Sequence, residues 1–144
     1  MRIIMGIDPP KGISICKHDG SYRLILETIT VKGLPEMLQK IRELHQEYHG
    51  KIDLVRIEKS NSKYVYQRPG ASPAAMRNIS HRVGENSAKA DAIFEFCKAL
   101  GLQAELRPPI KGYTKLSADQ VWRLTGYEGK TSEHARDAVM LSWL

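Results

Sequence analysis

Four residues in this chain carry side chains suited to holding a hard cation. Asp8 ends the apolar run RIIMGID, Glu58 ends KIDLVRIE, and His134 and Asp137 lie three residues apart in TSEHARDAVML. That spacing puts His134 and Asp137 on one helix face. Taken singly, each carboxylate has an ordinary explanation. An Asp at a strand end serves turns, a Glu after an apolar strand faces water, and an Asp early in a helix favours the macrodipole. Their joint placement argues for more. If the strands ending at Asp8 and Glu58 are parallel neighbours, the two carboxylates stand side by side, and the last helix brings Asp137 and His134 to them. Three carboxylates and an imidazole at one point repel each other unless something positive sits between them. Mg²⁺ is held by a few carboxylates, waters and substrate phosphates. Two such ions roughly 4 Å apart stabilise the attacking and leaving oxygens of an in-line phosphodiester displacement.

The elements that must position these residues are readable from patterning. Residues 2–8 read as a strand. Residues 12–18 (GISICKH) alternate, with Ile13 and Ile15 on one face and Ser14 and Cys16 on the other. Asp19-Gly20 gives a hairpin turn into a third strand at 22–31. GLPEMLQKIRELHQEYHG predicts a helix, because Leu34, Met37, Leu38, Ile41, Leu44 and Tyr48 recur at helical spacing. Pro35 suits its first turn, Gly50 its C-terminal cap, and Glu36 and Lys40 form an i,i+4 pair. A fourth strand ends at Glu58, and residues 59–75 read as a loop. Helices are expected at about 75–82 and 87–100, the second with Ile93, Phe96, Cys97 and Leu100 on one face. A fifth strand at 102–107 stops at Pro108-Pro109. Ser117 and Gln120 make a capping box for a short helix ending at Gly126, and Thr131 or Ser132 caps a last helix. This order predicts one α/β domain over residues 1–144. Its five-stranded mixed sheet has a three-strand antiparallel meander, parallel strands, and helices on both faces.

The 144 residues include 22 Lys and Arg against 16 Asp and Glu, a net charge of +6 and a pI near 9.4. Basic balance favours polyanions. The charge is also concentrated: between Lys59 and Gly84 stand Lys59, Lys63, Arg68, Arg77 and Arg82, with Tyr64 and Tyr66 and no acidic residue. Such a stretch suits phosphate contacts plus base stacking, or else is a solvated loop. No apolar run approaches a membrane span, and the start MRIIMGID lacks the apolar length of a signal peptide. Cys16 and Cys97 have no metal or redox spacing and read as buried, reduced thiols, so a cytoplasmic location is expected. His45 and His49 are i,i+4, a spacing zinc sites use, but no third ligand is apparent and they read as a helix end.

The ordered set of motifs resembles the RuvC-type Holliday junction resolvases, which have the RNase H-like (retroviral integrase) fold. MGIDPPKGISI looks like that family's opening strand and hairpin, and DLVRIEKS like its fourth strand with the second acid. ISHRVGENSA looks like the helical segment that follows, RPPIKGYTKLSADQV like the proline–lysine stretch and Gln-Val helix, and SEHARDAVMLSWL like the final helix. Pro10 stands where the family usually has Gly, and the stretch from Lys59 to Gly84 is longer than in the cellular resolvases, which looks more like a phage or divergent member. The resemblance implies that Asp8, Glu58, His134 and Asp137 form the catalytic metal set for Mg²⁺, with Mn²⁺ able to substitute. Asp8 would bridge two ions. Lys111 and Lys115 match the basic residues near the scissile phosphate, and Tyr64 or Tyr66 would help open the junction. A homodimer nicking opposed strands of a four-way DNA junction is implied, leaving 5′-phosphate and 3′-hydroxyl ends. It would work at the nucleoid, or in the host cytoplasm for a phage protein. Two rival readings stand beside it: an RNase H-like or YqgF-like nuclease acting on RNA or RNA–DNA hybrid, and a non-catalytic module that binds branched nucleic acid.

Overall fold

The structure, a computed structural model, describes residues 1–60, 70 and 72–144. The chain runs β1 (Arg2–Asp8), β2 (Gly12–Asp19), β3 (Tyr22–Thr30), α1 (Leu34–Glu47), β4 (Leu54–Glu58), α2 (Pro73–Ala99), β5 (Ala104–Arg107), α3 (Ala118–Thr125) and α4 (Glu133–Trp143). The strands form one mixed sheet in the order β3-β2-β1-β4-β5. β1 is antiparallel to β2 and β2 to β3, whereas β1 pairs parallel with β4 and β4 with β5. The expected meander, parallel strands and helices on both faces are all present.

Side-chain alternation assigns the two faces. Ile3, Met5, Ile7, Ile13, Ile15, Val55 and Ile57 point to one side, where Met37, Ile41 and Leu44 of α1 and Ala90, Ile93 and Cys97 of α2 cover them. Cys16 and Ile25 point to the other side and meet Val121 of α3 and Val139 and Met140 of α4. Both cysteines are buried and unpaired with each other. Among the described residues no helix is long and apolar enough to cross a membrane.

Several local expectations change. The two helices expected at 75–82 and 87–100 are one helix, α2, which runs through Gly84. An interior glycine costs only about 1 kcal/mol. Against that, the Ser72 hydroxyl accepts from the Ala75 N–H at 3.1 Å, Pro73 sits in the first turn, and the C-terminal half packs on the sheet. α1 ends at Glu47, with Tyr48 as its C-cap and Gly50 beyond it. Glu36 does not meet Lys40 but accepts the Lys32 N–H at 2.6 Å, and Lys40 pairs with Glu43 at 3.5 Å. β5 begins at Ala104, because Leu102 turns back to donate its N–H to Cys97 at the end of α2. The capping box of Ser117 and Gln120 is formed, and α3 ends on Gly126 in the left-handed region. Ser132, not Thr131, caps α4.

Candidate active site

The β1–β4 register pairs Ile7 with Ile57, so the next residues, Asp8 and Glu58, emerge abreast at the C-terminal end of the sheet centre. α4 lies across β1 and β2 at backbone distance, and two glycines make that possible. A Cβ at Gly6 would run into the Ala138 carbonyl, and one at Gly12 into the His134 carbonyl. Gly12 is the β2 partner of Asp8, so the closest approach falls beside that carboxylate. Farther along α4, the buried Ser142 hydroxyl donates to Ser14 Oγ at 3.0 Å. At its C-terminal end, Arg56 Nη1 donates to the Leu141 carbonyl at 3.1 Å, and His18 Nε2 lies 2.7 Å from the Ser142 carbonyl oxygen. These contacts fix the helix that carries His134 and Asp137.

One oxygen from each of Asp8, Glu58 and Asp137 lies within 4.8 Å of the other two. It is the one such cluster of potential ligands among the described residues. His134 is not in that mutual set. Its Nδ1 lies 2.8 Å from Asp8 Oδ2, and its side chain is 45% exposed against 13% for Asp8. The imidazole thus reaches the carboxylates from the solvent side. The Lys115 backbone N–H donates to Asp137 Oδ1 at 2.8 Å.

The electrostatics match this crowding. Burial, and after it the negative charge of Asp137, push Asp8 up to about 7, against a partial lowering by its hydrogen bond with Glu58. Burial, and after it the charge of Asp8, push Glu58 up to about 8. Asp137 is also raised, chiefly by burial, with the Lys115 N–H pulling the other way. Raised together, the three carboxyls resist carrying full negative charge side by side. The donor set is all oxygen, negatively charged and converging, which fits a hard divalent ion.

The remaining expected residues fall into three groups. Lys115 adjoins the site through its backbone, whereas Lys111 is exposed in the preceding turn and makes no described contact with the carboxylates. Lys59 follows Glu58 and pairs with Asp91 at 2.8 Å, and Arg77 is exposed on α2. Lys63, Tyr64, Tyr66 and Arg68 lie outside the described residues, as does the side chain of Arg82. Three contributors carried no residue-type signal in the sequence. They are Gly12, the Lys115 N–H, and Glu133, an exposed first-turn residue of α4 whose charge raises both Asp8 and Asp137.

No family model and no curated protein sequence matches the chain. Solved structures do. RuvC of T. thermophilus in complex with a Holliday junction substrate is 16% identical, with a TM-score of 0.58 over 99% of this chain and 90% of that one. The Fowlpox virus resolvase in complex with substrate Holliday junction DNA is 13% identical, with a TM-score of 0.54 over 98% of this chain and 94% of that one. This chain therefore has the α/β fold of the RuvC-type resolvases, with its carboxylate cluster at the C-terminal end of the two central parallel strands.

Proposed function

We propose that the protein is a metal-dependent endonuclease that resolves four-way DNA junctions, and cuts other branched DNA, by paired nicking. The observation that carries this reading is the convergence of Asp8, Glu58 and Asp137 on one point. Asp8, Glu58 and Asp137 would hold Mg²⁺, or Mn²⁺ in its place, with His134 beside Asp8. When bound, such ions supply activation of the attacking water and neutralisation of the charge that develops at phosphorus.

The chain's own residues do the rest. His134 orients Asp8 through the 2.8 Å contact at Nδ1. The Lys115 N–H occupies Asp137 Oδ1 and leaves the other oxygen free to ligate. The ammonium of Lys115, with Lys111 from the same loop, stabilises the phosphate oxygens. Lys59, Arg77 and the basic stretch between them hold the DNA backbone, and Tyr64 or Tyr66 stacks on an unpaired base. Nicking two opposed strands requires two such sites, so the working unit is a homodimer.

The test is cleavage of an end-labelled four-way DNA junction, a matched linear duplex and an RNA–DNA hybrid, each in Mg²⁺ and in EDTA. Paired, metal-dependent nicks in the junction alone are expected. Cleavage of the hybrid alone would make the protein a ribonuclease. Junction binding without any cleavage would leave it a binding module.

A further inference from the structure

The segment from Ser117 to Lys130 forms α3, which packs on the sheet through Val121, and then leads back to α4. One side chain ties both ends of this segment. Arg136 Nε donates to the Leu116 carbonyl at 2.8 Å, and Arg136 Nη1 donates to the Thr131 carbonyl at 2.9 Å, with Thr131 Oγ1 at 3.4 Å. Leu116 stands immediately before the segment and Thr131 immediately after it. A planar guanidinium reaches two fixed carbonyls at once, which a lysine ammonium on its flexible stem does less well. Arg136 is partly buried and forms no ion pair among the described residues, so these carbonyl bonds are its described role.

The next residue on α4 completes the arrangement. Asp137 Oδ1 accepts the Lys115 N–H at 2.8 Å, so consecutive residues of α4 hold consecutive residues of the loop. Lys115 sits at φ +55, in the left-handed region that a lysine rarely adopts. A backbone in that region persists when its surroundings over-determine it. Here the two hydrogen bonds on either side do so.

We propose that Arg136 is a positioning residue that latches the 111–116 loop onto α4, and so sets where Lys115 stands relative to the carboxylates. The catalytic half of this proposal rests on the reading of Lys115 given above; the latch itself does not.

The latch is read by hydrogen exchange at the Lys115 amide in the wild type, Arg136→Met and Arg136→Lys. The Val139 amide, within α4, serves as the internal reference. Arg136→Met is expected to accelerate exchange at Lys115 by about tenfold or more relative to Val139, with Arg136→Lys intermediate. Should Arg136→Met fail to fold, Arg136→Lys carries the test at a smaller expected acceleration of about threefold. Unchanged protection of Lys115 in the folded variant overturns the latch, whether or not the protein cuts DNA.

The catalytic consequence is read by single-turnover junction cleavage at saturating protein. Arg136→Met should slow cleavage by roughly 10- to 100-fold while junction affinity stays within about threefold. Arg136→Lys should recover part of the rate. The double variant with Lys115→Ala should be no slower than Lys115→Ala alone, because both changes remove one contribution. Losses that multiply would show that Arg136 acts independently of Lys115 and would overturn the positioning role. A wild type that cuts no junction, together with accelerated exchange in Arg136→Met, would sink the proposed function and leave the latch standing.

Discussion

Replacing Gly12 by alanine places a methyl group where α4 rests on β2. The new Cβ would stand 2.9 Å from the Ala135 nitrogen and nearer still to the His134 carbonyl. Ordinary contact begins near 3.5 Å, and a helix backbone has no rotamer with which to give way, so the first turn of α4 must retreat by about 1 Å. Overpacking of this kind costs on the order of 1–3 kcal/mol. The larger effect is expected at the site, since the displaced turn carries His134 and Asp137 away from Asp8 and Glu58. Metal ligation tolerates about 0.2 Å, and a 1 Å misplacement of catalytic groups costs roughly 100-fold in rate. Gly12→Ala should therefore lower the melting temperature by several degrees, weaken Mn²⁺ binding by about tenfold or more, and reduce junction cleavage by about 100-fold. Gly84→Ala is the control. Gly84 has open space around it inside α2, and its replacement should stabilise the protein by about 0.5–1 kcal/mol. A folded Gly12→Ala protein with native Mn²⁺ affinity and native cleavage would refute the argument that backbone contact of α4 sets the site.

Other outcomes follow from the same geometry. In the metal-free protein Asp8 is pushed up to about 7 and Glu58 to about 8, from ordinary values of 3.8 and 4.5. Groups raised on folding contribute stability that is complete below their unfolded values and is lost as pH climbs through the folded ones. Thermal stability in EDTA should therefore fall between about pH 4 and about pH 8, and saturating Mg²⁺ should raise it most at the upper end. A flat profile, or one rising with pH, would contradict the buried and mutually repelling carboxylates. Ser132→Ala removes the cap on the Ala135 N–H and the partner of Thr30 Oγ1 at 2.6 Å. It should cost about 1 kcal/mol in denaturant titration, and no loss would mean that water replaces the cap. Junction affinity should fall steeply with salt, because the contacts assigned to the basic stretch are to phosphates. A salt-insensitive affinity would remove that stretch from the interface.

The sheet and its carboxylates were legible because the sequence states them locally. An apolar run that ends on an acid marks a strand end, and the supposition that the two such strands are parallel neighbours, which sets Asp8 beside Glu58, is what the sheet shows. α2 was read as two helices because Gly84 and its polar neighbours interrupt the apolar pattern, while cap and packing, which are not local, carry the helix through. Thr131 and Ser132 are both cap-forming residue types. Ser132 takes the role because it directly precedes Glu133 and its hydroxyl accepts the Ala135 N–H at 3.1 Å, while Thr131 faces Arg136. The hydrogen bond from Lys115 to Asp137 was not legible at all, because a backbone N–H has no residue-type signature. His134 was readable as a partner of the acids, but its place beside Asp8 depends on how closely α4 lies on Gly12.

The proposed activity requires the clustered carboxylates to take part in DNA cleavage and not merely to shape the fold. Asp137→Asn tests it directly, because it removes one negative charge and keeps the side chain's size and its acceptor for the Lys115 N–H. Junction binding in EDTA and junction cleavage in Mg²⁺ are measured side by side for this variant and the wild type. The wild type is expected to nick the junction, and Asp137→Asn to bind it equally or more tightly without nicking it. Cleavage by Asp137→Asn at the wild-type rate, or a wild type inert toward the junction in Mg²⁺, would contradict the proposed role of these carboxylates.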